Sequence, residues 1–358
     1  MNPVLPSAPR PRQSNIELLR IVAMFFVLIL HANCLVLGYP EVTDFQTNWL
    51  PAATQTLFEQ TAICAVNLFV LISGWFGIRT RRKKVIALLF QYFFFACLLA
   101  VVPGLLQTRS LSGWLATGRD LLGFDSFWFV PAYLMLCLLA PALNSFVTHS
   151  TRRTLRTTLV AFFLFQTVWG WVLGDAAAGM FSCGYSAISF VGLYLLARYV
   201  RLYRPRPFRL RSRSQYLVAV TFIACPAVVS LILAFAWDGS LFDAWYGRSI
   251  LYSAPHVILC ALFILTATAR LHFVSPGINK IAASAFAVYL FHLHPCVFPY
   301  FKQAVLALAG HFSGVAFLAV VFVFIVTVFA VAVLVDQVRL ACWQPLARRG
   351  FPRPPRHR

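Results

Sequence analysis

Residues 69–84 read FVLISGWFGIRTRRKK. An unbroken apolar run passes through Ser73 and Gly74 and turns within a few residues into five basic side chains, Arg79, Arg81, Arg82, Lys83 and Lys84. Apolar sequence of this kind that stops in Lys and Arg fits a helix that crosses a bilayer and ends on the side where basic residues are retained.

The pattern repeats outward along the chain. Of its 358 residues, 60% are apolar and only 11% charged, with a mean hydropathy of +0.78; soluble domains carry roughly 25% charged residues. Spans are expected at 16–38, 54–78, 85–107, 127–147, 156–175, 182–203, 216–237, 249–271, 280–304 and 311–341. The fold class is thus all-α, a polytopic transmembrane bundle of about ten helices. Residues 1–15 form a Pro/Arg-rich arm, 16–341 one transmembrane domain and 342–358 a basic tail. The first apolar run is long enough to span and is expected to stay as the first helix rather than act as a cleaved signal.

The net charge of +20 would raise the question of nucleic acid in a soluble protein. Here its placement answers that question. The connections at 79–84, 148–155, 204–215 and the tail are strongly basic. With the N-terminus in the cytoplasm they all fall on one side, as does the Arg270 to Lys280 connection. Of the 30 Lys and Arg, the other side keeps Arg109, Arg119, Arg248 and Lys302. The positive-inside rule therefore predicts N-in and C-in, and no nucleic-acid partner. The longest outer loop, 108–126, has room for a short interfacial element and contains Asp125. The nine cysteines are scattered about one per helix with no C-x-x-C pair, which reads as apolar packing and not as a metal site.

Ionisable groups inside a bilayer are expensive, so each is a candidate for function. The first span, NIELLRIVAMFFVLILHAN at 15–33, holds three: Glu17, Arg20 and His31. Glu17 and Arg20 are three apart and can pair. Arg20 and His31 share a face about three turns, roughly 16 Å, apart. Arg79 and Arg82 offer planar guanidinium donors suited to phosphates, although a basic loop needs no ligand to explain it. Ser73 and Gly74 also have a simple use as small residues for close helix packing. In the ninth span, His292 and His294 are two apart and do not share a helical face, so a zinc pair is not expected. No H-E-x-x-H, Walker or G-x-S-x-G pattern occurs.

Together these residues resemble the bacterial acyltransferase 3 family of membrane O-acyltransferases. Glu17, Arg20 and His31 reproduce its first-helix mark, an arginine, ten residues and a histidine. FVLISGWFGIRTRR supplies its small-residue helix end and R-x-x-R pair through Ser73, Gly74, Arg79 and Arg82. FWFVPAYLMLCLLAPALN at 127–144, ISFVGLYLLARYVR at 188–201 and VYLFHLHP at 288–295 are similar to three further segments, with His292 at the family histidine. IVAM after Arg20 replaces the glycine-containing version common in the family.

The resemblance implies acyl transfer, most often of acetyl, from cytoplasmic acyl-coenzyme A as co-substrate to a hydroxyl of a carbohydrate or lipid-linked glycan, in the cytoplasmic (inner) membrane of a bacterium. His31, Arg20 and Glu17 are the catalytic candidates. Arg79, Arg82, Ser73 and Gly74 are expected at the coenzyme, and His292, Trp128 and Asp125 at a second-side site. The competing reading is a non-catalytic exporter of envelope polysaccharide precursors, in which the same charges line a transport path.

Overall fold

The computed structural model describes residues 12–79, 82–106, 110–123, 127–174, 179–236 and 239–350. Those residues are helical, with no strand among them. The helices are α1 (Ser14–Leu30), α2 (Val42–Ala62), α3 (Ala65–Phe76), α4 (Arg82–Leu106), α5 (Leu111–Gly123), α6 (Phe129–His149), α7 (Arg152–Phe165), α8 (Ala187–Tyr203), α9 (Ser212–Ala236), α10 (Gly239–Ser249), α11 (Pro255–Thr268), α12 (Pro276–Ala282), α13 (Ala285–His292), α14 (Phe298–His311) and α15 (Gly314–Gly350). Two wider π-helical stretches, His31–Leu37 and Gln166–Val172, extend α1 and α7.

Among the described residues, seven stretches are long and apolar enough to cross a membrane: 14–37, 42–76, 82–100, 129–149, 152–172, 212–236 and 314–347. The three other expected spans are shorter or broken. α8 has 17 residues and α11 has 14. The expected helix at 280–304 is instead three helices, α12, α13 and α14. Pro295, which has no N–H for a helical ladder and disfavours a helical residue before it, lies in the gap between α13 and α14. The span expected at 54–78 begins earlier and divides at Ile63 and Cys64. Its first part, α2, kinks at Asn48, three residues before Pro51. Within the connection expected on the outer side, 108–126, the described residues from Leu111 to Gly123 form α5. Asp125 lies outside the described residues.

The polarity runs opposite to that of a soluble domain. α15 exposes Phe322, Val323, Leu334 and Val338, whereas Asp336 and Arg339 on the same helix are buried. Arg339 grips Asp336 with two bonds, Nε at 2.6 Å and an Nη at 3.0 Å, and Gln91 of α4 donates to the same carboxylate at 3.3 Å. Outward apolar and inward paired polar side chains suit a bundle whose solvent is lipid. α1 packs among α2, α3, α11, α12, α13 and α15. α3 lies tight on α8 because Gly74 lets it: a Cβ there would sit 2.5 Å from the Tyr194 carbonyl oxygen.

Hydrogen bonds tie the basic connections into one end of the bundle. Arg12 donates to the Asn279 carbonyl (3.1 Å), Asn144 to the Ile78 carbonyl (2.9 Å) and Arg270 to the Phe208 carbonyl (3.0 Å). Arg152 stacks over the Tyr203 ring, 5.5 Å from its centroid. The segments expected on one membrane face are therefore spatial neighbours.

Candidate functional site

α1 begins at the basic end with Glu17 and Arg20, one turn apart, and the pairing read from their spacing is present. Arg20 Nη1 lies 3.3 and 3.2 Å from the two carboxylate oxygens of Glu17. Holding the guanidinium by one nitrogen leaves its other donors for a ligand. Toward the far end of α1 the helix widens into its π-helical stretch at His31. α2 clamps that stretch. Asn33 donates to the buried Glu59 carboxylate at 2.7 Å and to the Gln55 carbonyl at 3.1 Å, and Gln55 in turn donates to the carbonyl of Gly38 at 2.5 Å. Gly38, at φ +85°, ends the element in a backbone conformation that L side chains rarely adopt. π-helical turns are uncommon and cluster at functional sites.

A cavity of ≈ 370 Å³ runs from Arg12, Glu17 and Arg20 past Ser73 to His31 and Trp128. A second one of ≈ 280 Å³ adjoins it, sharing Arg20, Ser73 and Tyr133 and adding Arg79 and Lys84. Ser73 is fixed between the two by its bonds to the Phe69 carbonyl (2.9 Å) and the Tyr133 hydroxyl (3.0 Å). The result is a cationic antechamber opening into a chamber that ends on an imidazole.

Behind that imidazole stands a second one. His31 Nδ1 and His292 Nε2 are 2.7 Å apart, and His292 Nδ1 lies 2.5 Å from the Val288 carbonyl oxygen. A carbonyl can only accept, so His292 carries its proton on Nδ1 and presents a lone pair on Nε2. His31 must then donate from Nδ1, which leaves its own Nε2 as the lone pair available to the cavity. The hydrogen-bond network thus assigns both tautomers. His292 is fully buried, and α13 ends at it.

Trp128 and Tyr252 line the same cavity as His31. Their ring centres are 6.0 Å apart, and Tyr185 packs against both, 4.4 Å from Trp128 and 4.7 Å from Tyr252. Asn67 of α3 holds the Tyr252 backbone by a 3.0 Å bond to its carbonyl.

The structure therefore brings Glu17, Arg20, His31, Ser73 and Trp128 to one cavity, Arg79 to the adjoining one, and His292 behind His31. Arg82 starts α4 on the exposed surface and is not among the residues lining either cavity, whereas Lys84 lines the second one with Arg79. Gly74 faces α8 and serves the helix contact. His294 is buried as well, its Nδ1 accepting from the Cys296 N–H at 3.1 Å, so both histidines of the pair turn inward once the helix has ended. Arg12, Lys84 and Tyr252 escaped the sequence reading. Nothing in the local sequence around Tyr252 marks it, whereas Arg12 and Lys84 were hidden among many basic neighbours. Among the described residues, no group of three or more His, Cys, Asp or Glu is placed to hold a metal ion.

Comparison with protein-family models matches residues 13–336 to an acyltransferase domain, that of the acyltransferase 3 type. No curated protein and no solved structure matches the chain.

Proposed function

The chain belongs to the acyltransferase 3 family, and from that premise we propose that it moves an acyl group, acetyl first of all, from cytoplasmic coenzyme A to a hydroxyl of a cell-envelope carbohydrate. The observation that carries this reading is the oriented histidine pair at the end of a chamber with a cationic mouth. Arg79, Lys84 and Arg20 suit the phosphates of the donor. The roughly 16 Å from Arg20 to His31 suits an extended pantetheine arm whose thioester stops beside the imidazole.

In the direct course, His31 Nε2 takes the proton from the acceptor hydroxyl as its oxygen forms a bond to the thioester carbonyl carbon. The carbon–sulfur bond then breaks, and the proton passes from the imidazolium to the leaving thiolate. The positive charge on His31 in between is stabilised through Nδ1–H by His292. In a relay, the same Nε2 attacks the thioester carbonyl carbon, the carbon–sulfur bond breaks and coenzyme A leaves as its thiolate; the acceptor hydroxyl then attacks the acyl-imidazolium, the nitrogen–carbon bond breaks, and the hydroxyl proton passes to the freed Nε2 and from there to the thiolate. Glu17 orients Arg20 in either course. The flat faces of Trp128 and Tyr252, which both line the cavity, suit the C–H faces of a sugar ring, as amphipathic aromatics do in many polar-ligand sites.

In this reading all ten expected spans cross or enter the bilayer, N-in and C-in, in the inner membrane of a bacterium. Support comes from the basic connections that share one end of the bundle and the positive-inside rule.

The test is acetyl transfer from radiolabelled acetyl-coenzyme A to envelope glycans in membranes containing the protein, beside His31→Ala and Arg79→Ala/Lys84→Ala at matched expression. The expected outcome is loss of label with His31→Ala and a raised donor KM with the double variant. Transfer that survives His31→Ala at the wild-type rate would sink the mechanism.

A further inference from the structure

A separate cavity of ≈ 420 Å³ lies at the basic end, where the ends of α3, α8 and α11 meet the short turn Arg206–Arg209. Trp75, Arg204, Phe208, Arg270 and His272 line it, and it shares no lining residue with the reaction chamber or its antechamber. Arg204, Arg270 and His272 are all exposed. Arg204 caps α8 in the left-handed conformation, φ +41°, and its carbonyl is held by Arg209 Nε at 2.6 Å. Arg270 is anchored only to a carbonyl, that of Phe208. No carboxylate lines the cavity, and neither arginine is ion-paired with a described acidic residue. Two guanidiniums around one hollow with no carboxylate among its described lining residues offer paired donors to an anion from outside the chain.

The surroundings say which kind. Leu202, Leu210, Leu271, Phe273 and Val274 are all exposed beside these cations. Trp75 carries the Arg201 guanidinium over its ring at 5.4 Å. Apolar and basic side chains interleaved with a tryptophan at the ends of membrane helices mark the headgroup layer. Basic hollows between such helices receive lipid phosphates. We propose that this cavity binds the phosphate of an anionic phospholipid, with the acyl chains lying over the exposed leucines. The chemistry shared with any soluble phosphate is the guanidinium fork, and the apolar rim favours the lipid.

The experiment uses the full chain purified in a neutral detergent. Native mass spectrometry and thermal unfolding follow titration with phosphatidylglycerol or with phosphatidylcholine of the same acyl chains. Expected results are a retained phosphatidylglycerol adduct, a melting temperature raised more by phosphatidylglycerol than by phosphatidylcholine, and a preference that falls with salt. In Arg204→Gln/Arg270→Gln the binding of phosphatidylglycerol should weaken roughly thirtyfold, from about one unit charge lost at each position. Equal binding of the two lipids by the wild type overturns the proposal without any variant. So does undiminished phosphatidylglycerol binding by the double variant. If inorganic phosphate displaces the lipid and stabilises the protein as well as the lipid does, the site belongs to a soluble phosphate and the lipid assignment fails.

Discussion

His292→Leu removes the acceptor that decides where the His31 proton sits. Leucine keeps an apolar side chain of similar reach in the fully buried site, so the packing of α13 is largely preserved. The His31 Nδ1–H, which now ends 2.7 Å from a nitrogen lone pair, would face carbon. Two losses follow. A hydrogen bond to a group that becomes charged during the reaction is worth about 1.5–3 kcal/mol, or roughly 10- to 150-fold in rate. The ring is also free to carry its proton on Nε2, which leaves no lone pair in the cavity. In a serine protease, leaving the catalytic histidine in the wrong tautomer lowers kcat by about 10⁴-fold, which sets an upper bound. The expectation is therefore a kcat about 10²- to 10⁴-fold lower, with the donor KM unchanged because Arg20, Arg79 and Lys84 are untouched. His292→Gln restores an acceptor at similar reach and should recover most of the loss. The assay is initial-rate acetyl transfer in reconstituted membranes with donor concentration varied, alongside thermal unfolding of each variant. A His292→Leu protein with wild-type kcat would refute the tautomer argument. A rate loss that tracks a lowered melting temperature, with no recovery in His292→Gln, would reduce His292 to a packing residue.

Two further outcomes test the scaffold. Gly74→Ala should lower the unfolding free energy by about 1–3 kcal/mol, because the added Cβ meets the α8 backbone and not a flexible side chain; a melting temperature equal to wild type would show that α3 and α8 can part cheaply. Asp336→Leu should destabilise by about 3–5 kcal/mol by leaving Arg339 buried and unpaired, whereas Asp336→Leu/Arg339→Met should regain most of it, since replacing a whole buried pair is often neutral; a double variant as unstable as the single one would contradict this.

Much of this molecule can be read in its sequence where local chemistry decides the outcome. The Glu17–Arg20 pair follows from helical spacing alone, and His31 shares a cavity with Arg20 as eleven residues of helix imply. The small-residue role of Gly74 follows from its place between apolar neighbours. What hydropathy misses is interruption. The segment at 280–304 is apolar enough to look continuous, yet the chain breaks on either side of α13, and those breaks let His292 end its helix against His31. Contacts between residues 261 positions apart leave no periodic trace in either partner. Spacing alone joins Arg79 to Arg82, yet it is Lys84 that lines the second cavity with Arg79, while Arg82 opens α4.

The shortness of α13 has a consequence for control. The partner of His31 sits on a rod of eight residues jointed at both ends, and that rod holds the His292 imidazole by a bond to its own carbonyl. His292 therefore travels wherever α13 travels. A slide of about one ångström would stretch the contact with His31 past the range in which a hydrogen bond holds, and because Ala285, Phe286 and Tyr289 of α13 line the same cavity, it would reshape that cavity in the same movement.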